Sequence, residues 1–218
     1  MPGSVEIEYR DRIAILRLTN PPVNGLSFSV RNELETQFSL VQSRSDVAGI
    51  IITGHGRMFC AGADISEFGQ PTPRGTAFLP GVIDNIEASS KPVIAAIHGV
   101  AAGGGLEVAL GCHERLVLPG TRLGLPEVTL GFVPGAGGTQ RLPRLIGVEA
   151  ALDVIVTGRL LNATEALTLG IVDAIVEGDL IEAAATRIQE LVDSKLPFRR
   201  ASTPVSYTHL TLPTILLV

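Results

Sequence analysis

Lys91-Pro92-Val93-Ile94-Ala95-Ala96-Ile97, followed by Ala101-Ala102-Gly103-Gly104-Gly105-Leu106-Glu107-Val108-Ala109-Leu110, sets the architecture. The first stretch is a short apolar run of the kind a strand buried on both faces presents. The second begins with residues too small to obstruct a tight turn and continues as the first turns of an apolar helix. Strand, glycine turn and helix in succession point to an α/β layout rather than to a bundle or a sandwich.

The same signals recur on either side. Ile13 to Leu18 reads as a strand that Asn20-Pro21-Pro22 ends, because proline cannot donate to a ladder. Val30, Leu34, Phe38 and Val41 step by three or four, which predicts an amphipathic helix with Ser29 as its N-cap. Val47–Thr53 is a second buried strand, with Ala48 to Ile52 nearly continuous in apolar residues. Gly147 and Gly158 bracket a further helix, Asn162 and Glu165 have capping-box spacing, Gly170 ends the helix that follows, and Ile171–Val176 is expected to return as a strand. Residues 1–204 are therefore expected to form one α/β domain. Val205–Val218, uncharged and rich in Thr and Leu, departs from this composition and reads as a foreign tail, with a native apolar strand as the alternative.

Composition narrows the function. The 218-residue chain is 45% hydrophobic, enough for a sizeable core, and its formal charge of −5 comes without any run of Lys or Arg. Neither nucleic acid nor an anionic membrane is an expected partner. Cys60 and Cys112 stand apart from each other and from any His or Cys grouping, so buried free thiols are expected and a metal site is not. Charges at Glu6, Glu8, Arg10 and Asp11 leave no signal-peptide core, and no apolar run approaches the ~20 residues of a membrane span. A cytoplasmic or equivalent organelle setting is expected.

Two familiar chemistries fail on inspection. Gly54-His55-Gly56 opens like a dinucleotide fingerprint, but Phe59 occupies the third glycine position. No serine lies between glycines as a nucleophile elbow requires. More telling are two clusters of small residues, Ala61-Gly62-Ala63 and Ala101 to Gly105. The first precedes Asp64, a possible helix cap, and the second lies where a strand becomes a helix and amides gain the positive end of the dipole. Converging on one oxygen, such amides would make an oxyanion hole; taken singly, each cluster could be only a tight turn. Glu107 falls one helical turn past Gly104, among apolar neighbours that would raise its pKa, unless it reaches the surface or pairs with Arg115 or Arg122. Glu127 follows twenty positions later, ahead of the glycine-dense loop Gly131 to Gly138. Two carboxyls in one apolar cleft would have their pKa values pushed apart, giving a donor and an acceptor of protons.

Four blocks together resemble the enoyl-CoA hydratase and isomerase, or crotonase, family: Phe59 to Ile65, Lys91 to Gly99, Gly103 to Glu107, and Leu125-Pro126-Glu127 through Pro134 to Leu142. The resemblance covers roughly residues 5 to 200. It implies a crotonase-like spiral of ββα units that binds an acyl-CoA thioester, with coenzyme A arriving as part of the substrate and no separate cofactor. By the same resemblance the thioester oxygen meets the amides of Ala63 and Gly104, and the adenine meets Ala61, Gly62, Asp64 and Ile65. Gly103 and Pro134 join the substrate-binding residues, and Gly135 shapes a water site. Glu107 and Glu127 activate water for addition across the 2,3 double bond, Glu127 giving a proton to the α-carbon.

Hydration as in fatty-acid β-oxidation is the implied activity. Isomerisation within the family, or a non-catalytic binding or assembly role, is the alternative. Asn20 to Asn24 and Ala150 to Arg159 look closest to the hydratase half of proteins that also carry a 3-hydroxyacyl-CoA dehydrogenase. That likeness implies a fused or associated dehydrogenase, and a peroxisomal or mitochondrial setting in a eukaryote. Stand-alone members add C-terminal helices that cover the acyl pocket and assist assembly. Because this chain is expected to stop short of them, a homo-oligomer is an open expectation.

Overall fold

The computed structural model describes residues 3–203, so the proposed tail at 205–218 lies outside the described residues. The chain opens with a hairpin of β1 (Ser4–Arg10) and β2 (Ile13–Thr19), then α1 (Phe28–Ser43) and β3 (Gly49–Gly54). Next come α2 (Leu79–Glu87), β4 (Val93–Ile97), β5 (Val100–Ala102), α3 (Gly104–Gly111), β6 (Glu114–Val117) and β7 (Arg122–Gly124). The last elements are α4 (Gly138–Ile146), α5 (Val148–Thr157), β8 (Leu161–Asn162), α6 (Ala163–Leu169), β9 (Ala174–Ile175) and α7 (Leu180–Ser194). Strand, strand and helix recur as β1-β2-α1, β4-β5-α3 and β6-β7-α4, the ββα repeat of the crotonase-like fold.

One sheet runs β1-β2-β3-β4-β6-β9, parallel from β2 onward, and a smaller one runs β5-β7-β8. The unbroken apolar runs follow from this arrangement. Ile50 and Ile52 enter the core shared with α1, α2 and α3, while Ile51 enters the core under α7. Val93, Ala95 and Ile97 alternate with Ile94 and Ala96 in the same way. Both faces of the sheet are covered, so neither parity of the strand can be polar.

Several expectations are corrected. The N-cap of α1 is Ser27, not Ser29: its hydroxyl accepts the Val30 amide at 3.4 Å, while the Ser29 hydroxyl only meets that of Ser27. The cause is non-local, since Leu26 forms a parallel bridge with Ala63 and releases the chain into the helix at once. The strand expected over Ile171–Val176 shrinks to Ala174–Ile175, because the amides of Ile171 and Val172 both turn back to the Ala166 carbonyl and close α6 behind Gly170. The capping box at Asn162 and Glu165 is present in both directions, at 2.9 and 3.2 Å. Gly54 is a close-approach glycine, where a Cβ would meet the Met58 carbonyl oxygen at 2.2 Å.

A close approach of backbone to backbone occurs near the cavity at Gly105, where a Cβ would lie 2.4 Å from the Cys60 carbonyl oxygen and 2.8 Å from its Cβ. Gly105→Ala should lower stability by about 2 kcal/mol or more and the melting temperature by ~4–8 °C. Gly81→Ala, in α2 with nothing within 4 Å of the added carbon, should gain ~0.5–1 kcal/mol. Thermal unfolding followed by circular dichroism checks both, and a Gly105→Ala protein as stable as wild type would contradict the packing described.

Candidate active site

An isolated parallel bridge of Cys60 with Ala101 draws the small-residue clusters together, and a second, of Leu26 with Ala63, ties the first cluster to the start of α1. The Cys60 amide donates to the Val100 carbonyl and the Ala102 amide to the Cys60 carbonyl, both at 3.0 Å. Gly62 and Gly103 take positive φ values of 107° and 52°, which turn the following amides in one direction. A Cβ on Gly62 would lie 3.6 Å from the Gly104 amide nitrogen, and one on Gly104 would lie 3.7 Å from the Ala63 nitrogen. Gly104 is the first residue of α3, so its N–H has no partner inside the helix. Neither it nor the Ala63 N–H donates to another backbone carbonyl among the described residues.

Both amides open into a cavity of about 510 Å³. Every expected site residue except one lines it: Ala61, Gly62, Ala63, Asp64, Ile65, Gly103, Gly104, Glu107, Glu127 and Gly135. The exception is Pro134, which is buried behind the loop while its neighbour Gly135 faces the cavity. Asp64 caps the short turn Ile65–Glu67, accepting the Ser66 amide at 3.0 Å.

Glu107 is 2% exposed, and its Oε1 accepts the amides of Ala136 and Gly138 at 2.7 and 2.8 Å. Neither arginine considered for it is a partner. Arg115 is buried on Asp173 and the Ile171 carbonyl, and Arg122 reaches the Leu160 carbonyl. Burial raises the Glu107 pKa, against the two amides and the charge of Arg141, which lower it. Glu127 sits in the turn Pro126–Leu130 beside Gly103, where a Cβ would approach its Oε1 at 3.0 Å. Its Oε2 is buried without a hydrogen-bond partner among the described residues. Burial, reinforced by the charge of Glu107, pushes its pKa up to about 7. One carboxyl thus accepts two amides that oppose its desolvation, and the other is poised to carry a proton near neutrality.

Residues not foreseen also shape the site. Leu26 and Leu79 flank Gly104, at 3.2 and 3.3 Å from a would-be Cβ. Phe68 and Phe132 meet edge to face across the cavity lip, with centroids 5.4 Å apart. No local pattern marks them, since each pair is joined only by the fold. Behind the site, Cys60 is fully buried and its sulfur accepts the Gly62 amide at 3.4 Å; burial pushes the thiol up to about 12. No group of three or more His, Cys, Asp or Glu that could hold a metal ion is found among the described residues, and no helix there is long and apolar enough to cross a membrane.

The family profile described as Enoyl-CoA hydratase/isomerase matches residues 8–208. The peroxisomal bifunctional enzyme of Danio rerio is 50% identical over 190 residues, which are 87% of this chain and 26% of that protein. The glyoxysomal fatty acid beta-oxidation multifunctional protein MFP-a of Brassica napus is 43% identical over 206 residues, 90% of this chain and 28% of that protein. This chain therefore spans about a quarter of the length of these relatives. Among solved structures, an enoyl-CoA hydratase from Bacillus anthracis is similar with a TM-score of 0.80 and 36% identity, over 88% of this chain and 77% of that one.

A raised carboxyl pKa makes a prediction about stability. Glu127 binds its proton more tightly folded than unfolded, so its contribution is full below about pH 4.5 and is lost as pH rises through about 7. Glu127→Gln has no such loss. Relative to wild type it should gain on the order of 1–3 kcal/mol between pH 4.5 and 8, the partial exposure of Glu127 keeping the gain below the full linkage value. Urea unfolding at a series of pH values checks this, and parallel curves for the two proteins would contradict it.

Proposed function

The chain belongs to the enoyl-CoA hydratase/isomerase family, and from that premise we propose that it adds water across the 2,3 double bond of a trans-2-enoyl-CoA to give the 3-hydroxyacyl-CoA. The observation that carries the reading is one cavity holding two free amides, at Ala63 and Gly104, together with two carboxyls in different states, at Glu107 and Glu127.

In this reading the thioester oxygen accepts from the Ala63 and Gly104 amides, and Leu26 and Leu79 close around it. Glu107, with Oε1 occupied by the Ala136 and Gly138 amides, uses its other oxygen to orient a water and take its proton. The hydroxyl oxygen bonds to C3, the π electrons move toward the thioester oxygen, and the two amides stabilise the charge that develops there. Glu127 delivers its proton to C2. Transfer of the captured proton from Glu107 back to Glu127 restores the starting state. Two differently charged carboxyls favour hydration over double-bond isomerisation, for which a single carboxyl shuttling one proton suffices.

The names of the relatives, peroxisomal or glyoxysomal and bifunctional or multifunctional, support the peroxisomal option over the cytoplasmic one. They also support a place for this chain as one part of a longer β-oxidation protein. A 3-hydroxyacyl-CoA dehydrogenase part is the proposed fused or associated partner, and a homo-oligomer is the accompanying proposal.

Glu107→Gln and Glu127→Gln should each lower hydration of crotonyl-CoA by ~100-fold or more without loss of fold. Wild-type kcat should decline as pH rises above about 7, where Glu127 gives up its proton. Absorbance of the enoyl thioester follows the reaction, a 3-enoyl-CoA assayed in parallel separates isomerisation, and variants within a few-fold of wild type would sink the assignment.

Gly104→Val should lose ~10²–10³ in turnover through the displaced amide. It should also bind enoyl-CoA more weakly, because the side chain enters the space between Leu26 and Leu79. Free coenzyme A, held at Ala61 to Ile65 in this reading, should lose less affinity. Calorimetric titration with both ligands tests the difference.

A further inference from the structure

The turn that grips Glu107 is itself held from behind by a charge pair that does not line the cavity. Arg141, one turn into α4 and 5% exposed, directs Nε and Nη2 to Oε2 of Glu87 at 3.0 and 2.9 Å. Glu87, the last residue of α2 and equally buried, accepts the Ser202 amide on its other oxygen at 2.7 Å. Asp84, largely exposed one turn earlier, accepts from the same Nη2 at 2.6 Å. The remaining nitrogen, Nη1, turns toward the loop. It lies 3.4 Å from the Ala136 carbonyl oxygen, and a Cβ on Gly137 would collide with it at 2.1 Å. The Arg141 backbone amide bonds the Gly137 carbonyl at 2.8 Å. Ala136 and Gly138, on either side of Gly137, supply the two amides that hold Glu107.

We propose that Glu87 and Arg141 are positioning residues for the hydration reaction, fixing the Ala136–Gly138 turn so that its amides hold one oxygen of Glu107 and leave the other for water. The inference rests on the hydratase reading for its catalytic consequence, but the geometry it asserts is independent of that reading. A buried ion pair is a poor stabiliser in itself, and apolar side chains of similar volume serve a fold as well or better. What they could not do is support the Ala136 carbonyl or keep a positive charge near Glu107. The charged and titratable groups acting on Glu107 are Arg141 from α4 and Glu127 from the turn after β7, with the two amides.

The test uses the full 218-residue chain. Glu87→Met with Arg141→Met removes the pair together, so that no charge is stranded. The double variant should stay folded, lose ~10–100-fold in kcat for crotonyl-CoA and change KM by less than about threefold, since Ala63 and Gly104 are untouched. The Glu107 carboxyl, followed by ¹³C NMR and assigned by its disappearance in Glu107→Gln, should titrate at higher pH than in wild type. Arg141→Lys, which keeps the charge, should bring that titration back toward the wild-type value. Placed in a Glu107→Gln background, the double replacement should cost no further turnover, because the group it positions is gone.

A folded double variant with an unchanged Glu107 titration, or with equal losses in both backgrounds, would overturn the proposal. If the double variant does not fold, Arg141→Lys carries the test: a several-fold loss of kcat that vanishes in Glu107→Gln supports the role, and no loss or an equal loss rejects it. A wild-type chain unable to hydrate crotonyl-CoA would defeat the hydratase reading, while the NMR titration would still decide the positioning.

Discussion

The site depends on two stretches of backbone lying closer than side chains normally permit. Residues 60–63 and 101–105 touch through the parallel bridge of Cys60 with Ala101, and Gly105 rests against the Cys60 carbonyl with no space for a methyl group. Hydrogen bonds between the two stretches satisfy polar groups that burial would otherwise strand. They also aim the next free amides, at Ala63 and Gly104, into the same space. Absence of side chains is therefore what builds the centre, and larger residues line its walls.

From that contact the two carboxyls receive opposite treatment. Glu107 rides on α3, whose start the contact fixes, and meets the amides of a loop arriving from the far side. Glu127 is delivered by the turn after β7, whose Gly124 carbonyl accepts the Gly103 amide at 2.9 Å, and finds no donor for its Oε2 among the described residues. Both feel desolvation, which two loop amides and the charge of Arg141 oppose at Glu107 and only its own backbone amide opposes at Glu127. A difference of a few hydrogen bonds thus separates two identical functional groups, as the base and acid of the proposed hydration require.

Much of this was legible in the sequence, and most of the rest was not local. The apolar runs at Ile50 to Ile52 and Val93 to Ile97 announced a sheet buried on both faces, and the glycines before Glu107 announced the strand-to-helix turn. Asn162 and Glu165 cap as their spacing requires, because both halves of that device are local. What escaped was set by distant partners. Ser27 displaces Ser29 as a cap because Leu26 is bridged to a residue 37 positions away, at Ala63. Pro134 looked like a wall and is buried behind one. The strands β5, β7 and β8 are two or three residues long, too short for any period to register. Helix α7 carries the same local signal as α1, with Leu180, Ala184 and Ile188 four residues apart. The identity of the site came from the combination of blocks rather than from any one of them.

The burial of Cys60 carries a chemical consequence of its own. The proposed substrate, an α,β-unsaturated thioester, is an electrophile, and a thiolate within reach of C3 would add there in place of water and leave the protein alkylated. Cys60 belongs to the segment that presents the Ala63 amide, yet its sulfur is fully enclosed and its ionisation is driven up to about 12. Cys112 is sequestered to the same degree. Nucleophilicity in a thiol resides in its anion, so both sulfurs stay protonated and out of contact. The enclosure that packs the two segments together thereby also protects the site from a Michael addition that the proposed enoyl thioester would otherwise invite.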